Sequence, residues 1–598
     1  MSQLNTIAEG VKGSDVYTVT GVENPLVAMS VQLVRGVSED VVYNHVIAVL
    51  SSLTPENRVE LLQDLLVLTF QTRDVRGGKG ERRASALIWD ALFKCPETKS
   101  LALDLLDLVP EYGCWQDMFK LPPVAWSRVQ DIMEAQFLKD ELGVCNGAGA
   151  SLLAKWMPRE GQPFANFCAS RLVPGQLIQA TRMKLYRKRV SALNKAINTV
   201  EIKMCANTWD TIDPSIVPGR AVKKYTKAFL NELGTRGKYD KPREGLRHPE
   251  SVVRMLCREH FQEYFSKAAE GNVKAKGADT IFPHEVVKKA MDLYRQDQGA
   301  SEDEKNSLRG VWRQMVDVAR SGGGLGKSLA MCDFSGSMQS SGSNGDTPYW
   351  VSMALGLLIS EVTTDEFKNT MLTFDSRPTL HTLPEGDLFA KIASIQPTMA
   401  QGMSTDFQKA MDLVLERLKA QRVRPGNEPK NLIVLTDMNW DEACGSSEYS
   451  PYTGNSYRNV VKKAPWQTHV EMIREAFKRA GEDMWGEPFK MPTIVIWNIA
   501  ATSPDFHATA NTEGVMMISG WSPSLFKVLQ EDGPEAAVMT PLRALKLQLD
   551  HARYNRIRTR VREWFLKSSE CKCADVTTDY LRTPCSHYRP EPVYPRAL

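Results

Sequence analysis

The sequence predicts a two-part chain, a stack of helices followed by an α/β half with a mainly parallel, doubly wound sheet. Three observations predict it. Between about residues 25 and 320, apolar residues recur at three- and four-residue spacing with little strand character. Ser321-Gly322-Gly323-Gly324-Leu325-Gly326 then interrupts the pattern with a composition suited to a linker. Beyond it, short apolar runs alternate with amphipathic segments, the pattern of strand–helix units around a parallel sheet. At 598 residues the chain is too long for one core, so more than one domain is expected.

In order along the chain, an N-terminal arm occupies residues 1–24 and the helical domain residues 25–320. Within it Val41 to Leu53, Asn57 to Thr72, Arg83 to Lys94 and Ser100 to Val109 read as helices. Thr54-Pro55-Glu56-Asn57 and Gly77-Gly78-Lys79-Gly80 punctuate them. Helices joined by short turns suggest an α-solenoid, HEAT-like in architecture but without a fixed repeat period. After the linker at 321–327, residues 328–535 supply strands at Ser328–Asp333, Thr370–Phe374, Asn431–Thr436, Thr493–Asn498 and Val515–Ser519. Helices fall between them at about Tyr349–Val362, Phe407–Ala420, Thr468–Ala480 and Ser522–Gln530. Residues 536–598 form a C-terminal helix or helix pair and an irregular tail.

Bulk properties exclude several classes. A net charge of +3 gives no overall basicity, so any nucleic-acid surface must be local. Eleven scattered cysteines suit a reducing compartment. The first residues lack the character of a signal peptide, and no apolar run approaches the roughly 18–20 residues needed to span a bilayer. The expectation is a cytoplasmic protein with no membrane partner.

The chemistry concentrates in the α/β half. Asp333-Phe334-Ser335-Gly336-Ser337 follows an apolar strand and places one carboxylate and two hydroxyls on a single loop. Hard divalent cations select such oxygens and keep part of their water shell. Gly402-Met403-Ser404-Thr405-Asp406 precedes a helix and adds a neutral hydroxyl at Thr405. Leu432-Ile433-Val434-Leu435-Thr436-Asp437 is a buried strand ending in a carboxylate. Strand ends are where ligands sit in a doubly wound sheet, so Asp333, Ser335, Ser337, Thr405 and Asp437 converge.

With those three loops, residues from about 326 to 535 resemble a von Willebrand factor A domain with a metal-ion-dependent adhesion site. The resemblance implies that Ser335, Ser337 and Thr405 bind Mg²⁺, or another divalent cation such as Mn²⁺, directly. Asp333 and Asp437 then act mostly through water, and an acidic group from a protein partner fills the open coordination position. The run from Asn439 to Pro465 leaves the same strand end and reads either as a partner-selecting loop or as an ordinary surface insertion.

Just upstream, the run from Ser321 to Ser328 is one residue short of a phosphate-cradling loop, but it follows a helix and enters a strand, the reverse of the required context. No His–Cys or His–Asp constellation stands out among nine histidines, so no catalytic residue is assigned and the protein reads as no enzyme. In the tail, Cys571, Cys573, Cys585 and His587 admit a Cys₃His zinc site; loose reduced thiols are the plainer reading.

The helical half carries basic stretches. Arg73, Arg76, Lys79, Arg82 and Arg83 surround a glycine-rich turn. Arg182, Lys184, Arg187, Lys188 and Arg189 form a second cluster, continued by Lys223 and Lys224 with Tyr225 close by. Cations with interleaved aromatics suit RNA; the same residues also suit a solvated helical face. The segments Arg73–Arg83, Val109–Asp117, Ser151–Pro158 and Val200–Asp210 resemble an uncharacterised domain family related to the TROVE module of Ro-type proteins. That resemblance spans roughly residues 25 to 535 and has the same order, helical repeats and then an A domain. It implies a helical ring or arc that takes single-stranded RNA ends and binds structured RNA on its basic face. The leading expectation is a non-enzymatic ribonucleoprotein scaffold with a Mg²⁺-dependent docking site. The alternative is a protein-assembly platform that uses the metal site without RNA.

Overall fold

The computed structural model describes residues 7–9, 15–18, 20–234, 245–295, 301–339, 345–364, 367–374, 378–395, 407–438, 466–501, 506–530 and 538–569. The chain forms two compact units that do not follow the linear order expected from the sequence. The first gathers residues 1–37, 75–81 and 200–548, and the second gathers 38–74, 82–199 and 549–598. The glycine-rich stretch at 321–327 therefore lies inside the first unit.

After an antiparallel ribbon of β1 (Ile7–Glu9) and β2 (Asp15–Tyr17), the first unit is built on a six-stranded sheet. Its strands are β3 (Ser328–Asp333), β4 (Thr370–Phe374), β5 (Leu380–Thr382), β6 (Asn431–Thr436), β7 (Thr493–Asn498) and β8 (Val515–Ser519). The spatial order is β5-β4-β3-β6-β7-β8, all parallel except the edge strand β5. The parallel strands are buried almost without interruption, which is why they read as continuous apolar runs. From β3 the chain builds outward through β4 and β5, then returns to place β6 on the other side of β3. That reversal is a topological switch point, where the carboxyl ends of adjacent strands open a crevice.

The helix Pro348–Val362 lies on β3. It can approach because Gly356 has no side chain: a Cβ there would overlap Cys332 Sγ. Helices before the sheet join the same core, with Val286, Val287 and Ala290 from Pro283–Arg295 and Trp312 and Met315 from Glu302–Ser321. Trp312 Nε1 donates to Glu361 at 2.8 Å, and Lys391 pairs with Glu361 at 2.9 Å. A separate small core joins Trp209, Phe229, Cys257, Phe261 and Phe265, with Phe229 and Phe261 stacked at 4.2 Å. The helix Pro25–Gln32, capped by the side-chain Oδ1 of Asn24, which accepts the Leu26 and Val27 amides at 3.0 and 3.1 Å, meets the carboxyl ends of β7 and β8. There Asn498 Nδ2 donates to the Val31 carbonyl at 3.0 Å and Ser519 Oγ to the Ser30 carbonyl at 2.7 Å.

The second unit is helical, and its last helix, Asn555–Ser569, comes from the far end of the chain. Arginines hold it in place. Arg558 reaches Asp64 at 2.7 Å, and Arg560 reaches Asp104 and Asp107, each at 3.1 Å. Tyr112 Oη donates to the Arg553 carbonyl at 2.9 Å. What the sequence suggested was an appended C-terminal helix is an integral part of this unit. No helix among the described residues is long and apolar enough to cross a membrane.

Candidate functional site

At the switch point, β3 delivers Asp333 into the interior with no exposed surface. Its Oδ1 accepts the Ser335 amide at 2.9 Å, and its Oδ2 accepts the Thr436 hydroxyl at 3.0 Å. Asp437, also fully buried, follows Thr436 directly at the end of β6. Ser335 Oγ and Ser337 Oγ lie 3.0 Å apart on the loop that begins a short 3₁₀ turn. Met438 then turns sharply, with φ of +65°, and its carbonyl accepts His507 Nε2 at 3.0 Å. Four of the five metal-site residues singled out in the sequence are thus carried by the two adjoining strand ends. Thr405 lies outside the described residues, as do the run from Asn439 to Pro465 and the Cys571, Cys573, Cys585 and His587 set.

Burial pushes the Asp333 carboxyl well above the usual carboxylate range, and repulsion from Asp437 adds to the rise. The hydrogen bonds from Ser335 and Thr436 pull the other way and do not cancel it. Among the described residues no cationic side chain pairs with Asp333. No group of three or more His, Cys, Asp or Glu side chains gathers among the described residues either. The oxygens available here, carboxylate and hydroxyl, are the donor type that hard divalent cations such as Mg²⁺ select.

The basic stretches divide in a way the sequence did not show. Lys79, expected among the RNA contacts, is inside the protein, 1 % exposed. Its ammonium donates to the Ser30 carbonyl and, at 2.8 Å, to Ser519 Oγ. Burial pulls its pKa down to about 7 against the attraction of Glu81. Glu81 in turn pairs with Arg35 at 3.2 Å, whose guanidinium lies over the Trp521 ring at 3.9 Å. The glycine-rich turn is therefore a structural plug, and Lys79 cannot reach a phosphate. Arg73 is largely buried against Asp117 at 2.7 Å, and Arg82 shares that carboxylate at 3.2 Å. Arg76 and Arg83 are exposed, Arg76 facing Asp279 at 3.8 Å.

The second cluster lies on the helix Gln179–Ile197. Lys184, Arg187, Lys188 and Lys195 face solvent, and Arg187 pairs with Glu160. Arg182 and Arg189 turn inward: Arg182 binds the Gln176 carbonyl, and Arg189 Nε donates to Glu141 at 2.8 Å. In the first unit, Lys223 pairs with Glu285 at 2.8 Å and Lys224 is exposed beside Tyr225, 4.8 Å from its ring. Sequence reading missed Thr436 as the residue orienting Asp333, though its place just before the strand-end carboxylate was visible. It also missed Lys276 and Lys289, which share a cavity with Lys223 and Lys224.

Comparison with known proteins adds the following. Residues 327–555 match a family model described as a domain of unknown function, DUF7788, and the match takes in all six strands of the sheet. An uncharacterized protein, L728, of Acanthamoeba polyphaga mimivirus is 25% identical over 485 residues, which is 77% of this chain and 75% of the relative. The crystal structure of the Ro (RSR) protein of Deinococcus radiodurans aligns over 80% of this chain and 93% of that chain. Its TM-score is 0.38 and its identity 15%.

Proposed function

We propose that this chain is a non-enzymatic, RNA-binding scaffold whose sheet-bearing part is a von Willebrand factor A-like domain with a divalent-cation docking site. The observation that carries the RNA reading is the outward face of Gln179–Ile197. Lys184, Lys188, Ser191 and Lys195 recur there at helical spacing, all exposed, with Arg187 alongside. From Lys184 to Lys195 is about 16 Å at roughly 1.5 Å per residue, enough to follow several phosphates. For the docking site, the support is the donor set itself. Two buried carboxylates, Asp333 and Asp437, adjoin two hydroxyls, Ser335 and Ser337, and Mg²⁺ or Mn²⁺ would offset the carboxylates' repulsion. Such a centre holds a partner's carboxylate and performs no bond-breaking step. A second reading, a protein-assembly platform, is favoured by apolar side chains beside the basic stripe: Leu177 is 90 % exposed, Ile178 66 % and Leu185 39 %.

The RNA reading is tested by fluorescence anisotropy with a single-stranded oligoribonucleotide across a salt series. Wild-type affinity should fall steeply with salt. Changing Lys184, Lys188 and Lys195 to Glu should weaken binding at least about tenfold and flatten the log–log slope by roughly 0.7 for each phosphate that is no longer neutralised. An unchanged slope rejects the stripe as the RNA site. Loss of a protein partner on Leu177→Ser and Leu185→Ser, with RNA affinity intact, would support the second reading.

A further inference from the structure

We propose that a lysine-lined cavity in the first unit binds a phosphate monoester, either a free nucleotide-sized ester or the terminal phosphate of an RNA. The cavity, about 280 Å³, is bordered by the helices Gly219–Phe229, Pro283–Arg295 and Glu302–Ser321. That volume is near the lower end of the roughly 300–1,000 Å³ typical of small-molecule sites. Five lysines line it, Lys223, Lys224, Lys227, Lys276 and Lys289, against two glutamates, Glu285 and Glu304. The lining therefore carries an excess of three positive charges.

The glutamates organise this charge and leave most of it uncancelled. Glu304, 5 % exposed, holds Lys289 at 3.0 Å and lies 3.9 Å from Lys227. Glu285 holds Lys223 at 2.8 Å and also Arg220 at 2.9 Å. Lys224 and Lys276 form no salt bridge among the described residues, and Lys224 feels only the longer-range attraction of Glu201 beside its contact with Tyr225. The backbone that carries Lys276 is fixed from both sides. Its amide donates to Tyr264 Oη at 3.1 Å, and Tyr264 Oη donates to the Lys274 carbonyl at 3.2 Å. Gly219 completes the fit, because a Cβ there would overlap the backbone of Gly277 and push the Lys276 segment away.

The ligand class follows from charge and shape. An excess of three positive charges is far more than one carboxylate or one backbone phosphodiester can match. A phosphate monoester carries about −1.5 to −2 at neutral pH and presents three strong acceptor oxygens to ammonium donors. Val222, Ile281, Val286 and Val311 give the organic part of an ester an apolar wall. The assignment goes beyond the RNA-scaffold reading, since a free ester can occupy the site even if the protein binds no RNA.

The test is calorimetric titration of the full chain with adenosine 5′-monophosphate and with adenosine, alongside anisotropy with one short oligoribonucleotide bearing a 5′-phosphate or a 5′-hydroxyl. At least one phosphorylated member should bind about tenfold tighter than its unphosphorylated counterpart, the size of one lost charge-assisted hydrogen bond. Lys224→Gln combined with Lys276→Gln should erase that difference while the thermal midpoint stays in place, because both side chains are exposed. A preference confined to the mononucleotide assigns a free ester, and one confined to the oligonucleotide assigns an RNA terminus. Replacing Lys184, Lys188 and Lys195 by Glu should leave the mononucleotide affinity unchanged, which separates this site from the RNA stripe. The proposal is overturned if neither pair shows phosphate dependence, or if the double variant retains it.

Discussion

Lys79 offers the sharpest test of how the first unit is held together, because its charge state in the fold differs from that in the unfolded chain. Burial holds its pKa at about 7 against an ordinary value of 10.5. Between those two values the unfolded chain binds the extra proton and the folded one does not, so stability rises with pH across that window. Below about 7 both states are protonated and the full cost of the buried charge is present; above 10.5 it is gone. With those two values, the Lys79 contribution to unfolding free energy grows by about 2 kcal/mol between pH 7 and pH 9. Lys79→Met removes the titrating group with little change in volume. It leaves no orphaned hydrogen bond at Ser30, whose carbonyl still accepts Ser519 Oγ at 2.7 Å. The assay is urea unfolding at pH 7, 8 and 9, followed by fluorescence of the chain's thirteen tryptophans, of which Trp497 and Trp521 are buried in the first unit. Subtracting the variant from the wild type cancels all other titrations. The difference should move by about 2 kcal/mol in the stated direction. Parallel curves for the two proteins would refute the lowered pKa of the buried Lys79 amine.

Three further outcomes follow from the same structure. Mg²⁺ at a hundredfold excess over its Kd should stabilise the first unit by about 2.7 kcal/mol. Thermal scans with and without a chelator check this, and an equal rise in Ser335→Ala would exclude the serine as a ligand. Gly356→Ala forces a methyl against Cys332 Sγ and should cost about 1–3 kcal/mol, with part recovered when Cys332→Ala is added. Arg558→Ala withdraws a guanidinium from Asp64, whose side chain is 2 % exposed, and should cost about 3 kcal/mol. Limited proteolysis reads that loss as earlier cleavage before Asn555–Ser569, and an unchanged cleavage rate would show that the helix is held by packing alone.

How much of this was legible beforehand depends on the range of the interactions involved. The five long strands were readable because a strand buried on both faces is a continuous apolar run, as at residues 432–435. β5 escaped because it is three residues long and half exposed, with no periodicity to betray it. Asp333 and Asp437 were readable because each directly ends such a run. The fate of Lys79 was not: its hydroxyl partners, Ser30 and Ser519, lie 49 and 440 residues away, and nothing local distinguishes it from Arg76. The division into units was hidden for the same reason. A glycine-rich stretch resembles a boundary, yet Val287 and Trp312 before it share one core with Leu358 and Trp497 after it.

The arrangement of the first unit also bears on why, among the described residues, its candidate donors gather at the ends of β3 and β6. A doubly wound sheet offers the carboxyl ends of all its parallel strands to a ligand. Here the ends of β7 and β8 are taken up by the chain itself, through Asn498 to Val31 and through Ser519 and Lys79 to Ser30. The polar groups there are spent on holding Pro25–Gln32, whereas the ends of β3 and β6 carry two buried carboxylates, Asp333, which accepts from Ser335 and Thr436, and Asp437. A sheet end that satisfies its own hydrogen bonds is structural; one that gathers buried carboxylates is the candidate site for the cation proposed above. Exchanging the two roles is the decisive contrast. Asn498→Ala should loosen the N-terminal helix without changing cation affinity, and Asp437→Asn should abolish cation-dependent stabilisation without loosening that helix.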